Sequence, residues 1–248
     1  MEKMNSASRP SPADTLDRVQ QHIVACCACP RLVAWRERVA QVKTRRYRDW
    51  PYWGQPVPGF GDPGARLLIV GLAPAAHGGN RTGRVFTGDR SGDWLYRALH
   101  RFGFANQPTS VHRDDGLQLS DCYITAAIHC APPDNKPSPD EINNCRPFLL
   151  RELERLSHVR VTLALGRIAF DAALTAFQPL GWASFSRRPK FAHGAEHRLN
   201  ERLTLIASFH PSQQSTFTGR LTEPMFDAVF GRVRELLDAL VVREAPTK

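Results

Sequence analysis

Four short runs of aliphatic and β-branched residues punctuate an otherwise mixed chain: Arg66–Gly71, Cys122–Ala127, Arg160–Leu165 and Leu203–Ser208. Each is too short and too continuously apolar for a surface helix, whose apolar positions recur every three to four residues. Such runs mark strands buried on both faces, the usual condition of a parallel sheet. After each run the pattern changes to helical spacing, over Gly92–Phe102, Pro139–Leu156, Arg167–Phe177 and Glu223–Val241, with Ser138 and Thr222 placed as caps. Strand–helix alternation predicts an α/β fold, a three-layer α/β/α sandwich around a central four-stranded parallel sheet. No repeat or long linker interrupts residues 15–241, which read as a single domain. Residues 1–14, polar and rich in Ser and Pro, read as a disordered tail, and residues 242–248 as a second tail. The stretch Ala40–Pro63, rich in Pro, Gly, Trp and Tyr, reads as a long ordered loop.

The segments after the strands carry the unusual residues. They are Leu72–Asn80, His129–Lys136 and Phe209–Gln214, each with Pro, His, amide or Gly groups. In an open parallel sheet, ligands bind beyond the carboxyl ends of the strands, so these loops are expected to converge on one site. The first loop has neither GxGxxG nor GxxxxGK[ST], which leaves dinucleotide and nucleoside-triphosphate binding without support.

Composition narrows the class of partner. The 248 residues carry 33 basic and 24 acidic side chains, a formal net charge of +9, which points to an anionic partner such as nucleic acid. No apolar run approaches the roughly 18 residues that span a bilayer, so no membrane partner is expected. The N-terminus lacks the apolar core of an export signal, and a cytoplasmic, nucleoid-associated monomer is the expectation. In that reducing compartment cysteines serve as metal ligands or buried thiols more often than as disulfides.

Six cysteines occur: Cys26, Cys27, Cys29, Cys122, Cys130 and Cys145. Cys26-x-x-Cys29 brings two thiolates within reach of one metal centre, and Cys130 and Cys145 follow with 14 residues between them. Such a set suits zinc or a [4Fe–4S] cluster, and the absence of a tight knuckle in the second pair favours the cluster. Cys122, which opens an apolar strand, reads as a buried thiol. Cys27 competes with Cys26 as a ligand, and spacing alone does not separate them.

Taken together, these residues resemble a known family. Cys26-x-x-Cys29-Pro30-Arg31-Leu32 and Pro56–Pro63 are similar to the opening of the family 5 uracil-DNA glycosylases, the UDGb type, of the uracil-DNA glycosylase superfamily. Gly71–Ala75, Asn80–Asp89, Cys130–Pro137, Leu165–Arg167, His193–Ala195 and His210–Thr222 continue the likeness in order. It runs from about Cys26 to the last helix, and the combination is far more specific than any one motif. The resemblance implies a uracil-glycosylase fold, a [4Fe–4S] cluster on Cys26, Cys29, Cys130 and Cys145, and DNA containing uracil or other deaminated bases as substrate.

Cleaving a base–sugar bond builds positive charge on the sugar and negative charge on the departing base. A carboxylate near the sugar and a donor near the base oxygen stabilise the two. By resemblance, Asp89 activates water, His210 contacts the base and Asn135 assists. Asp89 also stands where a helix cap would, and the two roles are compatible. Gly71, Ala73, Phe86 and Ala126 are implied around the base, with Phe86 stacking on it; core packing is the ordinary alternative for any Phe. Related family 4 enzymes carry an Asn at the position of Ala126, and its loss implies a broader range of bases, extending to hypoxanthine and xanthine. Arg84, Gln213 and Arg220 are implied as DNA contacts, with Arg81, Arg90 and Lys136 also near phosphates. The stretch Gln213–Arg220 is expected in the minor groove, although Ser215 stands where relatives often have Asn. The competing classes are a non-catalytic iron–sulfur nucleic-acid-binding module and a zinc-stabilised nucleoside hydrolase.

Overall fold

A computed structural model describes residues 14–244, with side chains to residue 240. The chain opens with two helices that the strand–helix alternation did not disclose, α1 (Leu16–Val24) and α2 (Pro30–Val42). Thr15 caps α1 by accepting from the Arg18 amide at 3.3 Å, and Pro30 takes the first position of α2, where no N–H is needed. Then come β1 (Phe60–Gly61), β2 (Leu67–Gly71), α3 (Gly79–Thr82), α4 (Arg90–Arg101) and β3 (Cys122–Ala126). They are followed by α5 (Pro139–Arg155), β4 (Val161–Leu165), α6 (Arg167–Phe177), β5 (Glu196–Arg198), β6 (Thr204–Ser208), α7 (Gln213–Phe217) and α8 (Glu223–Glu244). The expected loop Ala40–Pro63 therefore begins as the end of α2 and closes on β1.

The four apolar runs form the parallel centre of the sheet, in the order β3-β2-β4-β6. The expected four-stranded parallel centre is present, and β1 and β5 extend the sheet to six strands by pairing antiparallel on the two edges. These edge strands have two and three residues and are partly exposed, so they leave no apolar run to recognise. Of the expected tails, residues 1–13 and 245–248 lie outside the described residues. Asp14 belongs to the domain, held by Arg151 at 2.7 Å, and α8 continues through Glu244, past the expected end at Val241. Among the described residues no helix is long and apolar enough to cross a membrane.

Alternation along the strands explains the three layers. Leu67 and Ile69 of β2, Ile124 of β3 and Leu163 of β4 pack with Leu95, Leu99, Phe226 and Phe230 of α4 and α8. Their neighbours Leu68, Val70, Tyr123 and Ala164 point the other way, into Leu149, Leu153, Phe170 and Phe177 of α5 and α6. Ser138 and Glu141 close a capping box at the start of α5, and the Thr222 hydroxyl accepts from the Met225 amide at 3.4 Å.

The neighbouring strands β2 and β4 lead into helices on opposite faces, α4 on one and α6 on the other. This is a topological switch point, where diverging connections open a crevice at the carboxyl ends of the strands. A buried polar network braces the sheet nearby. Glu152, 0% exposed, accepts from Thr125 at 2.5 Å and from Tyr123 at 3.2 Å, and Gln20 of α1 donates to the Tyr123 hydroxyl at 3.0 Å. With two partners from β3 and one from α1, the network ties α1, β3 and α5 together.

Leu163 sits at the centre of β4 with 0% exposure, so Leu163→Ala is expected to lower unfolding free energy by about 2–5 kcal/mol. Val42→Ala, at a side chain 71% exposed, should change it by less than about 0.5 kcal/mol. Urea unfolding of both variants checks the assignment, and equal losses would mean that the core is misplaced.

Candidate active site

The crevice is built by the loop after β2 and the loop after β6. The chain leaves β2 at Gly71, turns through α3 and returns through Phe86 to Asp89, which starts α4. Phe86 takes a left-handed backbone at φ 51°, unusual for an aromatic residue and a local strain that the surrounding packing must hold. Its ring lies so close to Gly71 that a Cβ there would stand 2.8 Å from ring carbons, so only glycine fits at the end of β2. Across the sheet His210, just beyond β6, stacks on the Phe86 ring with centroids 5.8 Å apart and planes 28° apart. Phe86 thus joins the two loops, half-buried and packed against the core while presenting a ring to the crevice.

Asp89 is the cap of α4, and its carboxylate Oδ1 accepts from the Gly92 amide at 3.0 Å. Burial pushes its carboxyl above the ordinary carboxylate range, opposed by that amide and by the charge of Arg81. The carboxylate leans on the backbone of Gly78, where a Cβ would come within 1.9 Å of Oδ2. Arg81 clamps the same loop: its Nε donates to the His77 carbonyl at 2.8 Å and its Nη2 to the Gly88 carbonyl at 2.8 Å. Tyr47 and Trp50 cover the guanidinium at 3.9 and 4.3 Å. Burial also depresses the His210 imidazole to about 4, so it is neutral at physiological pH. The ring of His193 stacks on Phe209 at 4.9 Å, and its Nδ1 accepts from the Phe209 amide at 3.1 Å, steadying the residue before His210.

The structure brings several sequence-selected residues together. Gly71, Phe86 and His210 pack in series, Asp89 follows Phe86 in the same loop, and Ala126 pairs with Gly71 across the parallel ladder. Ala73 lies farther along the β2 loop, against the small cluster formed by Leu32, Ile128 and Cys130. Asn135 stands exposed on a turn at φ 56°, and among the described residues no hydrogen bond or ring contact joins it to Asp89, Phe86 or His210. Gln213 and Arg220 are exposed at the two ends of the segment after β6.

Arg84 requires a correction. It is 4% exposed, and its guanidinium donates to both carboxylate oxygens of Asp115 at 2.8 Å, to Ser110 at 2.8 Å and to Thr87 at 2.9 Å. It anchors the Phe86 loop from inside and presents no charge to DNA. Arg81, at 3% exposure, is likewise internal. Two residues escaped the sequence reading. Phe217 is 70% exposed at the end of α7, with the Arg90 guanidinium 4.3 Å over its ring; an isolated aromatic between Thr216 and Thr218 was the available signal. Arg36 lies on α2, a helix that was not foreseen.

Away from the crevice, Cys26, Cys29, Cys130 and Cys145 line one pocket with Ile23, Leu32, Ile128 and Phe148. Cys27 and Cys122 are not among its lining residues; Cys27 is exposed and Cys122 is buried in the sheet. Three N–H groups approach the sulfurs: Arg36 to Cys130 at 3.0 Å, the His129 amide to Cys145 at 3.4 Å and Asn144 to Cys29 at 3.6 Å. Burial raises the Cys130 and Cys145 thiols, so their thiolates need positive charge close by. Among the described residues no group of three or more His, Cys, Asp or Glu stands close enough to hold a single metal ion.

Comparison with known proteins agrees with this architecture. Residues 58–234 match the family model of the uracil DNA glycosylase superfamily. A type-5 uracil-DNA glycosylase of Mycobacterium tuberculosis is 53% identical over 215 residues, 86% of this chain and 79% of that protein. The type-5 uracil-DNA glycosylase of Thermus thermophilus is 51% identical over 216 residues, 87% of this chain and 95% of that protein. A type-4 uracil-DNA glycosylase of Archaeoglobus fulgidus is 31% identical over 157 residues, covering 63% of this chain and 70% of that one. Likeness of this extent, spanning both loops of the crevice and the helices behind them, makes the chain a member of the uracil-DNA glycosylase superfamily, in its type-5 group.

Proposed function

We propose that this protein hydrolyses the N-glycosidic bond of uracil in DNA to leave an abasic site, and that hypoxanthine and xanthine are further leaving bases. The observation that carries the reading is the stacking of His210 on Phe86, three residues before Asp89 in the loop from β2 to α4, with the Asp89 carboxyl raised and the imidazole neutral. In this reading Asp89 orients and deprotonates the attacking water and faces the cationic sugar. His210 donates an N–H to the departing base oxygen without bringing a full charge into the site. Phe86 offers its ring to the extruded base. At the end of β3, Ala126 supplies only a methyl group, and a wall without side-chain donors or acceptors tolerates more than one base pattern. Asn135 keeps its assisting role only if its turn moves toward the crevice when DNA binds.

DNA contact falls to the segment after β6. Phe217 projects from a polar stretch and suits a wedge that fills the gap left by a flipped nucleotide. Arg90, Arg220 and Lys136, with Gln213, replace Arg84 as the phosphate-facing set. The four cysteines of the cavity fit a [4Fe–4S] cluster, which gives each iron its own thiolate and so does not require the thiols to close on one point. Bound there, the cluster would supply cross-linking rather than chemistry, joining the start of α2 to α5 and to the loop after β3.

The reading is tested on duplex oligonucleotides carrying one uracil, hypoxanthine or xanthine. Alkali-dependent breakage at the modified position is expected, and binding without breakage would leave a non-catalytic module. Asp89→Asn keeps a helix cap, and is expected to cut turnover by about 10²–10⁴-fold while DNA affinity stays within a few-fold. The same variant should be more stable than the parent near pH 7. Burial raises the carboxyl in the folded state, which penalises its ionised form, so the advantage must shrink as pH falls through that raised value. Thermal melts across pH check this; a gap that ignores pH would remove burial as the cause.

Phe217→Ala is expected to weaken binding to uracil duplex about tenfold, within the range of one lost base-stacking contact. Single-stranded substrate, with no stack to hold open, should be affected less. An unchanged ratio of duplex to single-strand kcat/KM would deny Phe217 a wedge role.

A further inference from the structure

Arg36 presents an electrostatic problem that the helix bearing it does not solve. Its side chain is 3% exposed, and among the described residues no carboxylate forms an ion pair with it. Its Nη1 donates to the Cys130 sulfur at 3.0 Å and to the Cys26 carbonyl at 3.2 Å, its Nη2 approaches the Cys27 sulfur at 3.8 Å, and its Nε is buried without a partner. An arginine does not shed its proton, so this is a permanent cation in an apolar wall beside Ile128, Leu32 and Phe148. Neutral thiols and one carbonyl do not balance such a charge. The α2 backbone is also fixed here, since Asn80 donates to the Arg36 carbonyl at 3.2 Å, so the side chain cannot escape by moving its helix.

We infer that Arg36 is the built-in counter-charge of the four-cysteine site, a positioning residue whose buried cation is balanced only when the cysteines carry an anionic cluster. The inference rests on the cluster reading proposed above. Four thiolates outweigh the positive charge of a [4Fe–4S] core, so the loaded site is an anion. The guanidinium then becomes an outer-shell donor to a ligand sulfur, the kind of partner that sets metal retention. Without the cluster, the same side chain is an unbalanced buried charge that opposes folding. Arg36 therefore stabilises one state of the protein and destabilises the other.

That sign reversal is the test. Parent and Arg36→Met proteins are purified without oxygen, their iron and sulfide measured, and each melted before and after cluster removal with a chelator. The loaded Arg36→Met protein should melt lower than the loaded parent and release iron to the chelator about 10- to 100-fold faster. The stripped Arg36→Met protein should melt at or above the stripped parent. An equal drop in both states would make Arg36 a packing residue and overturn the inference. Should Arg36→Met not accumulate folded, Arg36→Lys and Arg36→Gln decide: slower iron release from the Lys variant supports the charge role, and equal release refutes it. A parent protein without iron and sulfide would sink the cluster reading itself, whereas an iron-loaded parent with unaltered variants sinks only Arg36.

Discussion

Parallel pairing of β2 with β3 on one side and β4 on the other governs most of what this molecule does. Because the central strands run the same way and in register, Gly71 stands level with Ala126, and Leu165 with Ser208. Every connection carrying unusual residues must then leave from one edge. The helices after β2 and β4 depart to opposite faces, and the gap between them admits a ligand without any cavity carved into the core. The two faces of the sheet are thereby free to pack against largely apolar cores.

On that frame the side chains that matter are held in states that water would not favour. Asp89 is partly shielded from solvent, His210 is neutral, Phe86 has a left-handed backbone, and Arg36 is charged inside an apolar wall. Each is maintained by neighbours with no chemistry of their own. Arg84 with Asp115 fixes one side of the Phe86 loop, Arg81 between two aromatic rings fixes the other, and His193 steadies the approach to His210. Rigidity of this sort lowers the reorganisation needed when charge develops on a sugar and a leaving base.

The central strands and the main helices were legible because buried parallel strands are uniformly apolar and the helices after them are periodic; Arg167–Phe177 was placed without error. The edge strands β1 and β5 were not, since short, half-exposed strands carry no pattern. The helices α1 and α2 lie outside the strand–helix alternation, and their local signs were the Thr15 cap with the spacing of Val19 and Ile23, and Pro30 at the first position of α2. Resemblance supplied Asp89 and His210, whose residue types alone are ambiguous. Arg84 was read as a phosphate contact from its charge and position, and a positive charge looks the same in sequence whether it faces phosphate or a buried aspartate. The choice between Cys26 and Cys27, undecidable from spacing, becomes a question of which of two adjacent side chains turns inward, and Cys26 is the one that lines the cavity.

The contact between Gly78 and Asp89 has a mechanical meaning. With no side chain between them, the backbone of the β2 loop and the carboxylate at the start of α4 meet directly, with nothing compressible in the gap. A displacement of a few tenths of an ångström in that loop is handed on undamped to the carboxylate. The β2 loop and the carboxylate at the start of α4 are therefore one rigid part, and under the proposed reaction whatever seats a base against that loop also sets the carboxylate.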